Sequence, residues 1–325
     1  MKKLGFILII FLILLCLMIT SLFFEPLNIL KASRFTNNIF VDKTVFKTNP
    51  FNSSSSNCIH DHFKSTLLII VYNSPLYSHL PLLQNLYSNG FPNIIHCGPE
   101  HSTAPSWILK SVTFNGYFTY EECAAQTMRT FINYTGYLVI NDDLFLNFLT
   151  IKNLNLSKIW EGPLLEVNSK KISDWYWWDS SWGVKNCFKT LKKLRSLNNY
   201  VNQKRDPYWH KMVSGKNVCY GIRADIYYVP RKMAENFTKL SDVFREENVF
   251  LEIAVPTIIR LLVTEVERLN GFYMDSGTKS EVILKSYNSD LNFIHPVKFH
   301  YGKDSLINFE FLKNYERHIS ANTKC

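Results

Sequence analysis

Downstream of residue 64 the chain alternates short apolar runs with amphipathic stretches. Thr66 to Tyr72 (TLLIIVY) is continuously apolar, the pattern of a strand buried on both faces of a parallel sheet. Ser78 is placed to cap a helix carrying Leu82, Leu83, Leu86 and Tyr87 on one face, with Gly90 as its stop. Asn93 to Cys97 reads as a second strand. Thr119 and Glu122 then form a T-x-x-E capping box, opening a helix with Ala124, Ala125, Met128, Phe131 and Ile132 at helical spacing, ended by Gly136. Tyr137 to Ile140 is the next strand, and it delivers Asn141, Asp142 and Asp143 at its carboxyl end. This alternation predicts an α/β domain with a mainly parallel central sheet flanked by helices. In such sheets ligands bind outside the carboxyl ends of the strands.

The pattern upstream is different. Leu4 to Phe24 is 21 residues without a charge, preceded by Lys2 and Lys3, long enough for a helix to cross a hydrocarbon core of roughly 30 Å. A cleaved signal peptide is the rival, but its apolar region runs to about 7 to 15 residues and ends in small ones, whereas this run leaves through Ser21, Leu22, Phe23 and Phe24. The leading lysines fit the positive-inside bias, against which Lys31 and Arg34 count. From Glu25 to Lys64 periodicity is lost, and the polar run Asn52 to Asn57 has the composition of a flexible tether. The expected organisation is a cytosolic end at 1–3, a transmembrane signal anchor at 4–24, a stem at 25–64 and a lumenal domain at 65–325, a single-pass type II topology.

Two features agree with a lumenal domain. Glycosylation triplets start at Asn52, Asn133, Asn155 and Asn236. Beyond Cys16 in the span, Cys58, Cys97, Cys123, Cys187, Cys219 and Cys325 form an even set that permits disulfides, of which six cysteines allow 15 connectivities. No CxxC pair points to zinc. With 46% hydrophobic and 15% aromatic residues the chain is not a disordered one. Its net charge of +9 is spread without a basic stripe interleaved with aromatics, which sets nucleic acid aside and leaves an anionic surface or a phosphate-bearing substrate as partner.

Asn141, Asp142 and Asp143 are the residues most able to carry chemistry. A hard divalent cation held by carboxylate oxygens neutralises a diphosphate while its substituent leaves. Side chains alternate along a strand, so Asn141 and Asp143 should share one side and Asp142 the other. Asp143 is the metal candidate, Asn141 the partner of a ribose, and Asp142 a catalytic candidate. The bland alternative is a polar turn with two solvated aspartates, for which Asp143→Asn would leave stability within about 0.5 kcal/mol. The segment WYWWDSSWG, Trp175 to Gly183, is dense in aromatics beside Asp174 and Asp179. Trp177, Trp178 and Asp179 could bind an acceptor sugar, or the aromatics could be core. Glu246, Glu247 and Glu252 precede and enter an apolar run. Glu252 is the preferred catalytic carboxylate, as general base toward a hydroxyl or as stabiliser of a cationic transition state, against the simpler role of an exposed helix glutamate.

The run YLVINDDLFLNF, Tyr137 to Phe148, resembles the variant D-x-D segment of GT-A glycosyltransferases, and more specifically the STELLO-type glycosyltransferase-like proteins. LLIIVYNSPLY, FPNIIHCGPE, DIYYVP and VFLEIAVPTI resemble the same family in the same order, together covering roughly Leu67 to His300. The resemblance implies a GT-A-like fold, a Golgi membrane location, a nucleotide-sugar donor (a UDP-sugar first) and Mn²⁺ or Mg²⁺ as cofactor. It places Tyr72 and Asn73 near the nucleotide base and His295, with His300 as alternative, on the metal. The missing first Asp of the D-x-D triplet keeps open a non-catalytic protein that organises other Golgi glycosyltransferases. The tryptophan-rich segment keeps open a carbohydrate-binding module.

Overall fold

A computed structural model describes residues 58–111, 114–163, 175–201, 218–273, 282, 289–298, 310–315 and 317, all within the unit Lys47–Cys325. The anchor expected at 4–24, the glycosylation triplet at Asn52, Asp174 and His300 lie outside the described residues. Among the described residues no helix is long and apolar enough to cross a membrane.

The centre is a seven-stranded sheet in the order β3-β2-β1-β4-β7-β6-β8. Its strands are β1 (Thr66–Val71), β2 (Ile94–Pro99), β3 (Leu109–Ser111), β4 (Gly136–Asn141), β6 (Trp160–Glu161), β7 (Ile226–Pro230) and β8 (Glu267–Arg268). β3, β2, β1 and β4 run parallel, β7 runs against its neighbours β4 and β6, and β8 is parallel to β6. The mainly parallel sheet is present, with one reversed strand inside it. β1 and β4 are buried at every position because both faces are covered. Alternate residues feed two cores: Leu67, Ile69, Tyr137 and Val139 on one face, Leu68, Ile70, Leu138 and Ile140 on the other.

The first core is closed by α3 (Gln126–Thr130), α6 (Val184–Val201), α7 (Arg231–Glu246) and α8 (Leu251–Leu262); the second by α1 (Cys58–His62), α2 (Leu80–Ser88) and α4 (Phe148–Ile151). A short helix, α5 (Tyr176–Asp179), precedes α6. α1 lies inside the stretch read as stem, and Ile59 and Phe63 are buried, with Phe63 stacked on Phe91. A second, three-stranded sheet joins β5 (Phe145–Leu146), β10 (Phe293–His295) and β9 (Gly271–Tyr273) in the order β5-β10-β9. Disulfides tie Cys97 to Cys123 and Cys187 to Cys219.

Local expectations needed correction at three places. Ser78 does not cap α2: the helix opens at Leu80 after a 3₁₀ turn at Tyr77–His79, with Pro81 fixing its first turn. Thr119 makes no capping bond either, because Glu122 turns to the Asn115 amide and to Arg245, 2.8 Å away, and the chain winds as a π turn (Tyr120–Ala125) before α3. The helix then ends at Thr130 and leaves Ile132 exposed. Gly136 therefore does not end that helix but opens β4, where a Cβ would lie 1.9 Å from the Tyr228 hydroxyl. Gly90 does follow α2, and the reason is contact: its Cβ would meet the Phe148 ring at 2.7 Å.

Candidate functional site

The site forms where β4 ends. Asn141 continues the antiparallel pairing of β4 with β7 by one residue, its amide donating to the Asp225 carbonyl at 3.0 Å. That register puts Asp225 beside it, and the Asn141 side-chain amide donates to Asp225 Oδ1 at 2.8 Å. Alternation along the strand then separates the two aspartates. Asp143 meets His295, whose Nε2 is 3.2 Å from Asp143 Oδ1 and 3.4 Å from Asp225 Oδ1. Asp142 meets His79, with Nε2 3.0 Å from its Oδ2, in a pair that is almost wholly buried.

β10 brings the opposing charges. The Val297 amide donates to the Asp143 carbonyl at 2.6 Å and the Asn147 amide to the Asn292 carbonyl at 2.8 Å, so residues 292–298 lie along 143–147. Through this pairing His295 reaches Asp143 from one side, and the Lys298 ammonium forms an ion pair with Asp143 Oδ2.

Glu252 arrives from the first turn of α8. Pro256, four residues on, has no N–H to donate to the Glu252 carbonyl. The Ile222 amide takes that carbonyl instead, at 2.9 Å, which fixes the segment carrying Arg223 and Asp225 against the start of the helix. The Tyr273 hydroxyl donates to the Arg223 carbonyl at 2.9 Å, and the Arg223 guanidinium lies 5.3 Å from the centre of the Tyr273 ring.

The electrostatics follow from this crowding. Burial alone would raise the Asp143 carboxyl, but His295 and Lys298 outweigh it and hold it below the usual carboxylate range. Burial pushes Asp225 up, with Asp143 adding to the rise and His295 opposing it. Burial also lifts Glu252 to about 8, reinforced by the charge of Asp225 and opposed by Arg223 and His295. For His295 burial would favour the neutral ring, yet Asp225 and Asp143 prevail and hold its pKa above the ordinary value. Two buried atoms here, His295 Nδ1 and Asp225 Oδ2, have no hydrogen-bond partner among the described residues.

The sequence-selected residues thus divide. Asn141, Asp143, Glu252 and His295 gather in one cluster. Asp142 is held on the other side of the strand, raised by burial despite the hydrogen bond from His79. Tyr72 is fully buried with its hydroxyl 3.1 Å from His96 Nδ1, so a base cannot stack on it without displacing core, while Asn73 beside it is exposed. Trp178 is core at 1% exposure, Trp177 is stacked on Phe250 with ring centres 4.4 Å apart, and Asp179 is exposed. The outward aromatic of that segment is Tyr176, 72% exposed. Glu246 and Glu247 pair with Lys193 near the surface.

Asp225, Arg223 and Lys298 belong to the cluster and were not selected from sequence. An acidic residue immediately before an apolar strand, in RADIYYVP, was the available signal for Asp225; Lys298, three residues after His295, had none beyond proximity.

For a divalent cation the donor types are suitable, two carboxylates and an imidazole. These groups are paired with one another: His295 Nε2 lies 3.2 Å from Asp143 Oδ1 and 3.4 Å from Asp225 Oδ1, and Asp143 Oδ2 is paired with Lys298. Among the described residues no group of three or more His, Cys, Asp or Glu side chains is arranged to hold a metal ion.

No protein-family model and no curated protein matches the chain. Among solved structures, the crystal structure of a glycosyltransferase involved in the glycosylation of the major capsid of PBCV-1 is similar to 76% of this chain and 99% of its own, at 10% identity and a TM-score of 0.37. A similarity of that size bears on neither activity nor substrate.

Proposed function

We propose that the chain is a GT-A-like glycosyltransferase that takes a nucleotide sugar, a UDP-sugar first, and transfers the sugar to a hydroxyl acceptor. The observation that carries this reading is the cluster at the carboxyl end of β4. A carboxyl lifted to about 8, Glu252, stands with Asp143 and Asp225 among the cations His295, Lys298 and Arg223. Each part has work in that reaction. Cationic side chains in a partly buried site stabilise the negative charge that grows on a departing diphosphate. Glu252, with a pKa near neutral, is suited to accept the acceptor hydroxyl proton as the new bond forms. Asn141, whose amide carries both a donor and an acceptor, and Asp225 Oδ2, an acceptor when ionised and without a hydrogen-bond partner among the described residues, are groups of the kind that ribose and sugar hydroxyls need. Asp142, tied to His79, shapes the turn that carries Asp143.

The resemblance of YLVINDDLFLNF and the later segments supports the family-level part of the reading. The two disulfides support an oxidising compartment, consistent with a type II Golgi location. The test is thermal: the purified full chain is melted against UDP-glucose, UDP-galactose, UDP-N-acetylglucosamine and GDP-mannose. At one hundred times its Kd a true donor raises stability by about 2.7 kcal/mol. No stabilisation by any nucleotide sugar would reject the proposal.

A further inference from the structure

Residues 219–225 run along α8 and seat it. They start at Cys219, bonded to Cys187 of α6, and end at Asp225, which the sheet holds through Asn141. Two amides of this segment are bound by the helix. The Ile222 amide donates to the Glu252 carbonyl at 2.9 Å, and the Tyr220 amide donates to Thr257 Oγ1 at 3.0 Å. One turn further on, the Arg260 guanidinium lies 5.5 Å from the centre of the Tyr220 ring. Tyr220 and Ile222 are two residues apart, so along an extended chain their amides point the same way. A threonine inside a helix often returns its hydroxyl to the carbonyl four residues back. Thr257, 1% exposed, turns to the segment instead, with its hydroxyl 3.5 Å from the Tyr220 carbonyl oxygen and 3.8 Å from Cys187 Sγ. The sheet thus fixes Asp225, α8 carries Glu252, and the two amide bonds tie one to the other.

We infer that Thr257 is a positioning residue for Glu252: by holding the Tyr220 amide, its hydroxyl keeps residues 220–225 on the first turns of α8 and keeps the Glu252 carboxyl enclosed beside Asp225. As a statement about proton transfer this rests on the nucleotide-sugar reading above; as a statement about the carboxyl it needs no ligand. The groups that act on Glu252 are Asp225 and Arg223 on the segment, His295 on β10 and Tyr273 on β9, whose hydroxyl holds the Arg223 carbonyl. Thr257→Val keeps the shape of the side chain but leaves the Tyr220 amide without its acceptor, a cost that loosening of the segment relieves. Water then reaches Glu252. Asp225 and Arg223 act in opposite senses, but burial is the largest cause of the raised pKa, so its loss decides the direction and the carboxyl falls back toward the ordinary range.

The test is a double-mutant cycle on the full chain, read by melting curves from pH 6 to pH 9. It compares wild type, Thr257→Val and Thr257→Ser, each with and without Glu252→Gln. In the wild-type background the Tm gap opened by Glu252→Gln should widen with pH. In the Thr257→Val background that widening should shrink to less than half, while Thr257→Ser, which retains the hydroxyl, should keep it. A residue that only packs would lower Tm equally at every pH and leave the widening unchanged. That result, a gap flat with pH in the wild type, or equal shrinkage in both Thr257 variants overturns the inference. Should Thr257→Val not fold, hydrogen exchange on the wild type decides: the Tyr220 and Ile222 amides should exchange as slowly as those of β4 and β7, and exchange at the rate of an open loop overturns the seat. No nucleotide is present in these measurements, so their failure leaves the nucleotide-sugar reading standing, and failure of that reading appears only in the melts with nucleotide sugars.

Discussion

Glu252→Gln should make the protein more stable at alkaline pH. The substitution replaces a carboxyl by a neutral amide of the same shape, at a position where burial and Asp225 have lifted the pKa from 4.5 to about 8. A group whose folded pKa is raised favours folding when protonated. Its contribution is complete below about pH 4.5 and is lost as the pH climbs through 8. Over the whole span the effect is of order 5 kcal/mol, and between pH 6 and pH 9 about 2–3 kcal/mol of it disappears. For a domain of this size each kcal/mol moves Tm by roughly 2–4 °C. The glutamine variant lacks this slope, so the gap in Tm between variant and wild type should widen in the variant's favour by about 4–12 °C from pH 6 to pH 9. Asp225 and His295 titrate in both proteins but interact with Glu252, so the difference reports Glu252 together with its coupling to them. Melting curves by circular dichroism at half-unit pH steps measure it. A gap that stays flat with pH, or that widens in favour of the wild type, would refute the placement of Glu252 in a crowded acidic pocket.

Other outcomes follow from the same structure. Asp143→Asn should not behave as a surface change: it leaves His295 and Lys298 without their anion, and a loss of about 3–5 kcal/mol by denaturant titration is expected, against near zero for a solvated turn. Trp178→Ala should cost about 3–5 kcal/mol as a core truncation, while Tyr176→Ala, mostly exposed, should stay within about 0.5 kcal/mol; the reverse order in chemical melts would misplace the aromatic segment. If the chain enters the secretory pathway, mass spectrometry after glycosidase treatment should find occupancy at the exposed Asn133 and Asn155. It should not find it at Asn236, which lies inside α7 with Thr238 buried and bonded to the Glu235 carbonyl.

Much of the sheet is legible in the sequence because burial on both faces writes an unbroken apolar run, as in LLIIV and YLVI, and such runs are hard to mistake. The helix starts are less legible. Ser78 and Thr119 carry the right side chains for caps, but tertiary partners prevailed: Pro81 set one start, and Arg245 drew Glu122 away from the other. In the site, the alternation of Asn141, Asp142 and Asp143 along an extended chain correctly separates the two aspartates, a purely local property. Asp225 and Lys298 were missed because their place depends on pairings 84 and 155 residues away in sequence, which no local pattern encodes. Trp177 and Trp178 illustrate the opposite error, since aromatic density alone does not tell an open platform from a packed core.

The central claim is a nucleotide-sugar site at the carboxyl end of β4, and hydrogen exchange read by mass spectrometry locates it most directly. The full chain is compared with and without a saturating amount of the nucleotide sugar that stabilises it most. Protection should concentrate in three separated segments, Asn141 to Leu146, Ile222 to Ile226 and Phe293 to Lys298, which meet only in the folded cluster. Protection confined to other segments, or none in these three at saturation, would contradict the account.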